Sequence, residues 1–249
     1  MGKKKKLSLM NLERYSYKEA FHDDVRVRCR ILIVCEGEKT EPNYFKSFDQ
    51  LQYGGVVYDI ECEGGKINTM QVVDKAMELR DKAIASGLPY DTVWAVFDKD
   101  DFPASSFNAA ILKAEQHGIG CAWSNEAFEL WYVFHFVNRV TAMSREEYKT
   151  VISKYVNDSP AYTQNTKYVY KKNDQKSRVI ITAHGDESRA IRYAQSQANS
   201  FDDTRFALHN PCTTVYKLVR LLRGEDQEFN KKIMDDLKNN GTNDHYKTH

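Results

Sequence analysis

No run in the sequence approaches the ~20 consecutive apolar residues that a bilayer-spanning helix requires, so no spanning helix is expected. The opening stretch MGKKKKLSLMNLERYSY is basic but has no apolar h-region, so no secretory signal is read there and a cytoplasmic location is expected. Cysteine is sparse and unpatterned: Cys29, Cys35, Cys62, Cys121 and Cys212 form no CxxC pair. That excludes a disulfide framework or a structural zinc knot and points to a reducing compartment. Charge of one sign is lacking as well, with 36 basic residues against 35 acidic. A general polyanion binder is thereby excluded, and any nucleic-acid contact must come from a local patch. No GxxxxGK[ST] loop occurs, so ATP hydrolysis by that route is not expected. No internal repeat is visible.

What is present suffices for one large domain or two small ones: 249 residues, 41% of them hydrophobic and 12% aromatic. RVRCRILIVCEG alternates and then turns solidly apolar, which suits a strand buried on both faces in a parallel sheet. Thr40 is placed to cap a helix carrying Pro42 in its first turn, continuing through PNYFKSFDQL. GGVVYDIEC, DTVWAVFD and IGCAWS read as further strands. TMQVVDKAMELRDKAIASG reads as a helix closing on Gly87, SSFNAAILKAEQHG as a serine-capped helix, and NEAFELWYVFHFV as a strongly apolar one. This alternation predicts an α/β fold with an open, mainly parallel sheet flanked by helices. Beyond Thr141 the pattern is helical, in SREEYKTVISKYV, ESRAIRYAQSQAN and PCTTVYKLVRLL, with NPCTTV taken as a helix start. The expected organisation is a flexible basic arm over 1–27, an α/β core over 28–140, a mostly helical region over 141–237 packed on it, and a flexible tail over 238–249.

Acidic residues gather where these strands end. Glu36, Glu38 and Glu41 follow the first strand. Asp98, Asp100 and Asp101 follow the third in VFDKDD. Glu126 follows the fourth, with Glu129 one helical turn on. In open parallel sheets the functional crevice lies beyond the carboxyl ends of the strands. Taken singly, such acids suit turns and helix caps. Taken together they would repel one another unless a cation compensates, and carboxylates without nearby His or Cys favour Mg²⁺ or Mn²⁺. If Asp98–Lys99–Asp100 is extended, both carboxylates point the same way and reach one metal. Gly37 would let the backbone turn sharply or approach a phosphate. Glu38 reads as a solvated loop charge.

VCEGEKTEPNYF followed by FDKDDF resembles the Toprim pattern, a strand–Glu–Gly motif paired with a later Asp-x-Asp. More closely, the blocks CEGEKTEPNYF, DKDDF, SNEAFELWYVFHF and HNPCTTVYKLVRLL resemble the RloB family, also seen in the AbiL abortive-infection system. The resemblance implies a Toprim-like domain binding Mg²⁺, a role in defence against phage, and a neighbouring ATPase as partner. By position Glu36 corresponds to the Toprim glutamate, and Asp98 and Asp100 to the Asp-x-Asp pair. Glu41 corresponds to the second glutamate of nuclease-type sites but lies one residue further along.

The expected activity is therefore metal-dependent phosphodiester hydrolysis of DNA or RNA. Glu36, Asp98 and Asp100 would hold the principal metal, with Glu41, Asp101 or Glu126 helping a second. Lys39, Lys66 and Lys99 are placed to contact a scissile phosphate, or else balance surface charge. KYVYKKNDQKSR supplies Lys167, Lys171, Lys172, Lys176 and Arg178 for phosphates and Tyr168 and Tyr170 for stacking; the other reading is a solvated loop. Tyr44 falls inside the first helix and is not read as a nucleophile. His135, Phe128, Trp131 and Phe134 read as core. Two other classes stay open: a non-catalytic module that binds nucleic acid or the ATPase, and a different phosphoryl-transfer enzyme.

Overall fold

The computed structural model describes residues 27–48, 52–53, 56–65 and 67–240. Nearly all of the arm read over 1–27, Lys66, and the tail beyond 240 lie outside the described residues. Among the described residues the strands are β1 (Val27–Cys35), β2 (Gln52–Tyr53), β3 (Val56–Gly64), β4 (Thr92–Asp98), β5 (Gly120–Asn125) and β6 (Cys212–Thr213). They form one sheet in the order β2-β3-β1-β4-β5-β6. β1 pairs in parallel with both β3 and β4, and β4 in parallel with β5; only the two-residue edge strands β2 and β6 run antiparallel.

The solid apolar run of β1 is explained by this central place. Side chains alternate along a strand, and here the alternation feeds two cores. Ile31, Ile33 and Cys35 face one, Leu32 and Val34 the other, and all five are fully or almost fully buried. Helices α2 (Thr69–Ala85) and α3 (Ala104–Gln116) cover the Leu32 face through Val72, Val73, Ala76, Phe107, Ala110, Ile111 and Ala114. Helices α1 (Thr40–Lys46) and α4 (Glu129–Phe134) cover the Ile33 face. Ile33→Ala is expected to cost about 2–5 kcal/mol, because lost transfer energy and a cavity add; a chemical denaturation midpoint checks it.

The C-terminal helices pack on that same face. They are α5 (Arg145–Asn157), α6 (Ser177–His184), α7 (Glu187–Ala198), α8 (Val215–Leu222) and α9 (Gln227–Asn240). Tyr148, Ile152, Ile181, Ala190, Ile191, Ala194, Leu218 and Ile233 join the core of Ile33, Phe45 and Trp131. A partly buried polar knot ties the two parts together. Trp131 Nε1 donates to Tyr44 Oη (2.7 Å), Tyr44 Oη donates to Glu187 Oε1 (2.9 Å), and Glu187 accepts from Arg178 and Arg223 at 3.2 and 3.4 Å. Tyr44 is thus a core residue.

Local expectations shift at element ends. α1 begins at Thr40 itself, with Lys39 at the cap, and stops at Lys46. α3 follows Pro103 with no serine cap. α2 opens on an Asn68/Gln71 capping box, and Gly87 follows its end at φ +76° as expected. NPCTTV is not a helix start: Cys212–Thr213 pair with Asn125 and Ser124, and the helix begins at Val215. The Thr213 hydroxyl lies 2.9 Å from Ser124 Oγ, and Trp123 N donates to Thr214 Oγ1 at 2.9 Å. This segment braces the end of β5. Residues 238–240, expected in the tail, continue α9. Among the described residues no helix is long and apolar enough to cross a membrane.

Candidate acidic cleft

Because β1, β4 and β5 run in parallel, with Cys35 opposite Val96 and Asp98 opposite Ser124, the segments leaving their carboxyl ends share one edge. A cleft of about 380 Å³ opens there. Its walls include Glu36, Gly37, Glu41, Asp98, Asp100, Lys39, Arg145 and Lys172.

Glu36 continues the ladder past β1, its N–H donating to Val96 O (2.9 Å) while its Oε2 accepts from Asp98 N (3.3 Å). Burial, reinforced by the charges of Glu41 and Asp100, pushes its carboxyl up to about 7. Asp98 is buried at the last position of β4, and burial together with Glu41, Glu129 and Glu36 holds its carboxyl well above the usual range. The Phe128 N–H offsets part of that by donating to it. Glu41 is buried in the first turn of α1, and burial and Glu129 raise it as well. A Cβ at Gly37 would meet Glu41 Oε2, so any larger residue there forces the Glu41 carboxylate to shift. The close approach that Gly37 permits in this structure is thus by Glu41.

The extended Asp98–Lys99–Asp100 geometry does not form. Asp100 adopts φ +42°, a left-handed conformation that Asp tolerates better than most residues. Its N–H donates to Glu126 O (3.2 Å), which ties the turn after β4 to the one after β5. Asp100 Oδ2 pairs with Arg145 Nη2 at 2.7 Å, while its Oδ1 is buried without a hydrogen-bond partner. Lys99 Nζ donates to Phe102 O (2.6 Å) and Asp100 O (3.1 Å), pinning its own turn outside the cleft. Asp101 is exposed and Glu126 half-buried, and neither lines the cleft; Glu38 is exposed at its rim.

Of the basic residues read for nucleic acid, Lys39 and Lys172 are exposed on the cleft wall. Lys167, Lys171 and Lys176 are exposed elsewhere. Arg178 lies 3.6 Å over the Phe48 ring and pairs with Glu187, so it is engaged in the interior. The stacking role read for Tyr170 is corrected: it is 2% exposed, and its hydroxyl donates to Glu129 Oε1 at 3.0 Å.

Two residues that act on the cleft acids are given no role by the sequence. Glu129 stands out there only as one turn beyond Glu126; its buried carboxylate interacts with Asp98 and Glu41. Arg145 follows the Ser144 capping box at the start of α5, and no local signal directs it at Asp100. His135 is core, as expected. Its Nδ1 lies 3.0 Å from Trp131 O, and burial pushes its pKa down to about 4. The stability of the neutral imidazole is present above its ordinary value near 6.5 and is lost as pH falls through about 4. That loss is on the order of 3 kcal/mol, and the difference between the wild type and His135→Gln in melts from pH 7 to 4 measures it.

The acids are all oxygen donors of the kind Mg²⁺ or Mn²⁺ takes. Three are raised by burial and mutual repulsion, and Asp100 keeps one buried oxygen unpaired. In donor chemistry they fit a hard divalent cation. Among the described residues, however, no three His, Cys, Asp or Glu side chains stand together as a ready-made metal group.

Fold and cleft together define an open, mainly parallel α/β protein with an acid-walled crevice at the carboxyl edge of its sheet. The chain belongs to the RloB-like protein family, whose model matches residues 31–222. No curated protein and no solved structure matches it.

Proposed function

We propose that the chain is a divalent-metal-dependent nuclease that hydrolyses phosphodiester bonds in DNA or RNA. The observation that carries this reading is the burial of Asp98 and Glu41 beside Glu36 at the carboxyl edge of the sheet, with all three carboxyls raised. Acids held at such a cost to the fold cluster at functional sites. Glu36, Asp98 and Asp100 would hold Mg²⁺ or Mn²⁺, in a Toprim-like arrangement, with Glu41 behind them. When bound, such a cation polarises a phosphoryl oxygen and makes its water acidic. Lys39 and Lys172, on the wall, draw the phosphate backbone toward the acids. The backbone N–H groups of Lys99 and Asp100, which donate to Ser124 O and Glu126 O, hold the end of β4 against the end of β5. Family membership supports placing this activity in AbiL-type abortive-infection defence against phage, with an ATPase as companion.

A regulatory reading has two observations in its favour. Arg145 already occupies an oxygen of Asp100, and among the described residues no three-acid group is preformed. A non-catalytic module binding nucleic acid or the ATPase would look the same. Incubating the protein with plasmid DNA, total RNA and tRNA, in Mg²⁺, Mn²⁺ or EDTA, with and without the ATPase, separates the two. Cleavage in metal and none in EDTA is expected; no cleavage under any condition supports the regulatory module. Replacing both Lys39 and Lys172 by Ala is expected to weaken nucleic-acid binding regardless of sequence. The log–log salt slope should fall by about 1 for each phosphate that is no longer neutralised, measured by fluorescence anisotropy across salt concentrations.

A further inference from the structure

Four acids of the cleft, Glu36, Glu41, Asp98 and Asp100, and the buried Glu129 beyond its lining lie within electrostatic reach of a single guanidinium. That guanidinium belongs to Arg145, which comes from the C-terminal helical part and enters the cleft at the first residue of α5. We propose that Arg145 is an internal cation of the cleft that competes with divalent metal for Asp100. The inference deepens the nuclease reading and rests on it.

Three features support competition over a fixed structural pair. Arg145 touches Asp100 through Oδ2 only, leaving Oδ1 buried and unpaired, so the pair satisfies half of the carboxylate. The pair is not sealed: the side chains of Arg145 and Asp100 are 38% and 23% exposed, and such pairs are weak enough to be displaced. The helix that carries Arg145 does not need it for capping, since Ser144 and Glu147 form the capping box themselves. Arg145 can therefore swing out without unravelling α5. Lys172, a second cation acting on these acids, interacts with Glu41 and is exposed on the cleft wall.

A metal and a guanidinium that claim the same carboxylate are linked, and their coupling is reciprocal. Metal entry frees Arg145, and a freed arginine at the cleft mouth is suited to a bidentate phosphate contact. The metal-free protein is thereby kept with its acids partly neutralised.

The test is a Mn²⁺ titration followed by the electron paramagnetic resonance signal of free Mn²⁺, on wild type, Arg145→Met, Asp100→Asn and the double variant. Circular dichroism verifies the folding of each. Arg145→Met is expected to tighten Mn²⁺ binding about ten-fold, within the range of typical couplings. In the Asp100→Asn background the same change should have a much smaller effect, that of removing a positive charge near the remaining acids. Unchanged or weaker binding by a folded Arg145→Met variant overturns the competition and leaves the metal reading standing. Tightening that persists at full size in the Asp100→Asn background overturns it too, because the arginine would then act through general charge. Absence of Mn²⁺ binding in every variant overturns both this inference and the metal reading beneath it.

Discussion

Glu36→Gln is expected to lose on the order of 10³-fold or more of divalent-dependent phosphodiester cleavage while folding normally and, without metal, outlasting the wild type in alkaline melts. The two effects have one cause. Glu36 sits where β1 ends, largely desolvated, and its carboxyl is raised to about 7. A raised acid favours the fold while protonated. That contribution is complete below its ordinary value near 4.5 and is lost as pH rises through about 7. Glutamine never ionises and escapes the loss, so the gain over wild type should be absent near pH 4.5 and reach about 1–3 kcal/mol above pH 8. Saturating Mg²⁺ should erase the difference by stabilising the wild type alone. Thermal melts at pH 4.5 and 8.5, each in EDTA and in Mg²⁺, read all four conditions. Equal cleavage by wild type and variant would remove Glu36 from the chemistry.

Glu187→Ala is expected to be the most damaging single change outside the hydrophobic core. Its carboxylate accepts from Tyr44 of α1, Arg178 of α6 and Arg223 just past α8, and it lies at the start of α7. Removing it takes from Arg178, 15% exposed, its ion-pair partner, while Arg223, 21% exposed, keeps only Glu225. Breaking a buried ion pair from one side costs about 3–5 kcal/mol. Replacing the knot by apolar residues of similar volume would be far milder, since an isolated buried charge, not the missing bond, is what destabilises. A denaturant series comparing Glu187→Ala with Glu187→Met/Arg178→Met/Arg223→Leu makes that distinction. The single variant should fall furthest. The interior engagement of Arg178 also predicts that its loss lowers stability before it alters nucleic-acid affinity.

The parts of the fold that were legible in the sequence are those with a sustained period. β1 could be read because its solid apolar run has one physical explanation, a strand with a core on each face. α2 could be read from Val72, Val73 and Ala76 together with Gly87 at its end. β2 and β6 could not, because two residues carry no period; β6 shows itself only through what β5 offers it. α6 was hidden behind a segment whose lysines and tyrosines looked like a nucleic-acid patch. Tyr170 of that segment points inward, where its hydroxyl meets the buried carboxylate of Glu129.

The same division runs through the cleft. Glu36, Glu41, Asp98 and Asp100 were legible because parallel strands deliver their carboxyl ends to one edge, whatever the side chains do next. The orientation of Asp100 was not, since it depends on a left-handed residue and on Glu126 O across the turn. Arg145 was not legible either. An arginine next to a capping serine looks like an exposed helix start until the tertiary packing of α5 sets it against Asp100.

The most direct measurement of the central claim is anomalous diffraction from crystals soaked in Mn²⁺. The account predicts a peak in the cleft among Glu36, Asp98 and Asp100, with Arg145 displaced from Asp100. Crystals that diffract well after the soak, show no peak in the cleft and keep Arg145 on Asp100 would contradict it.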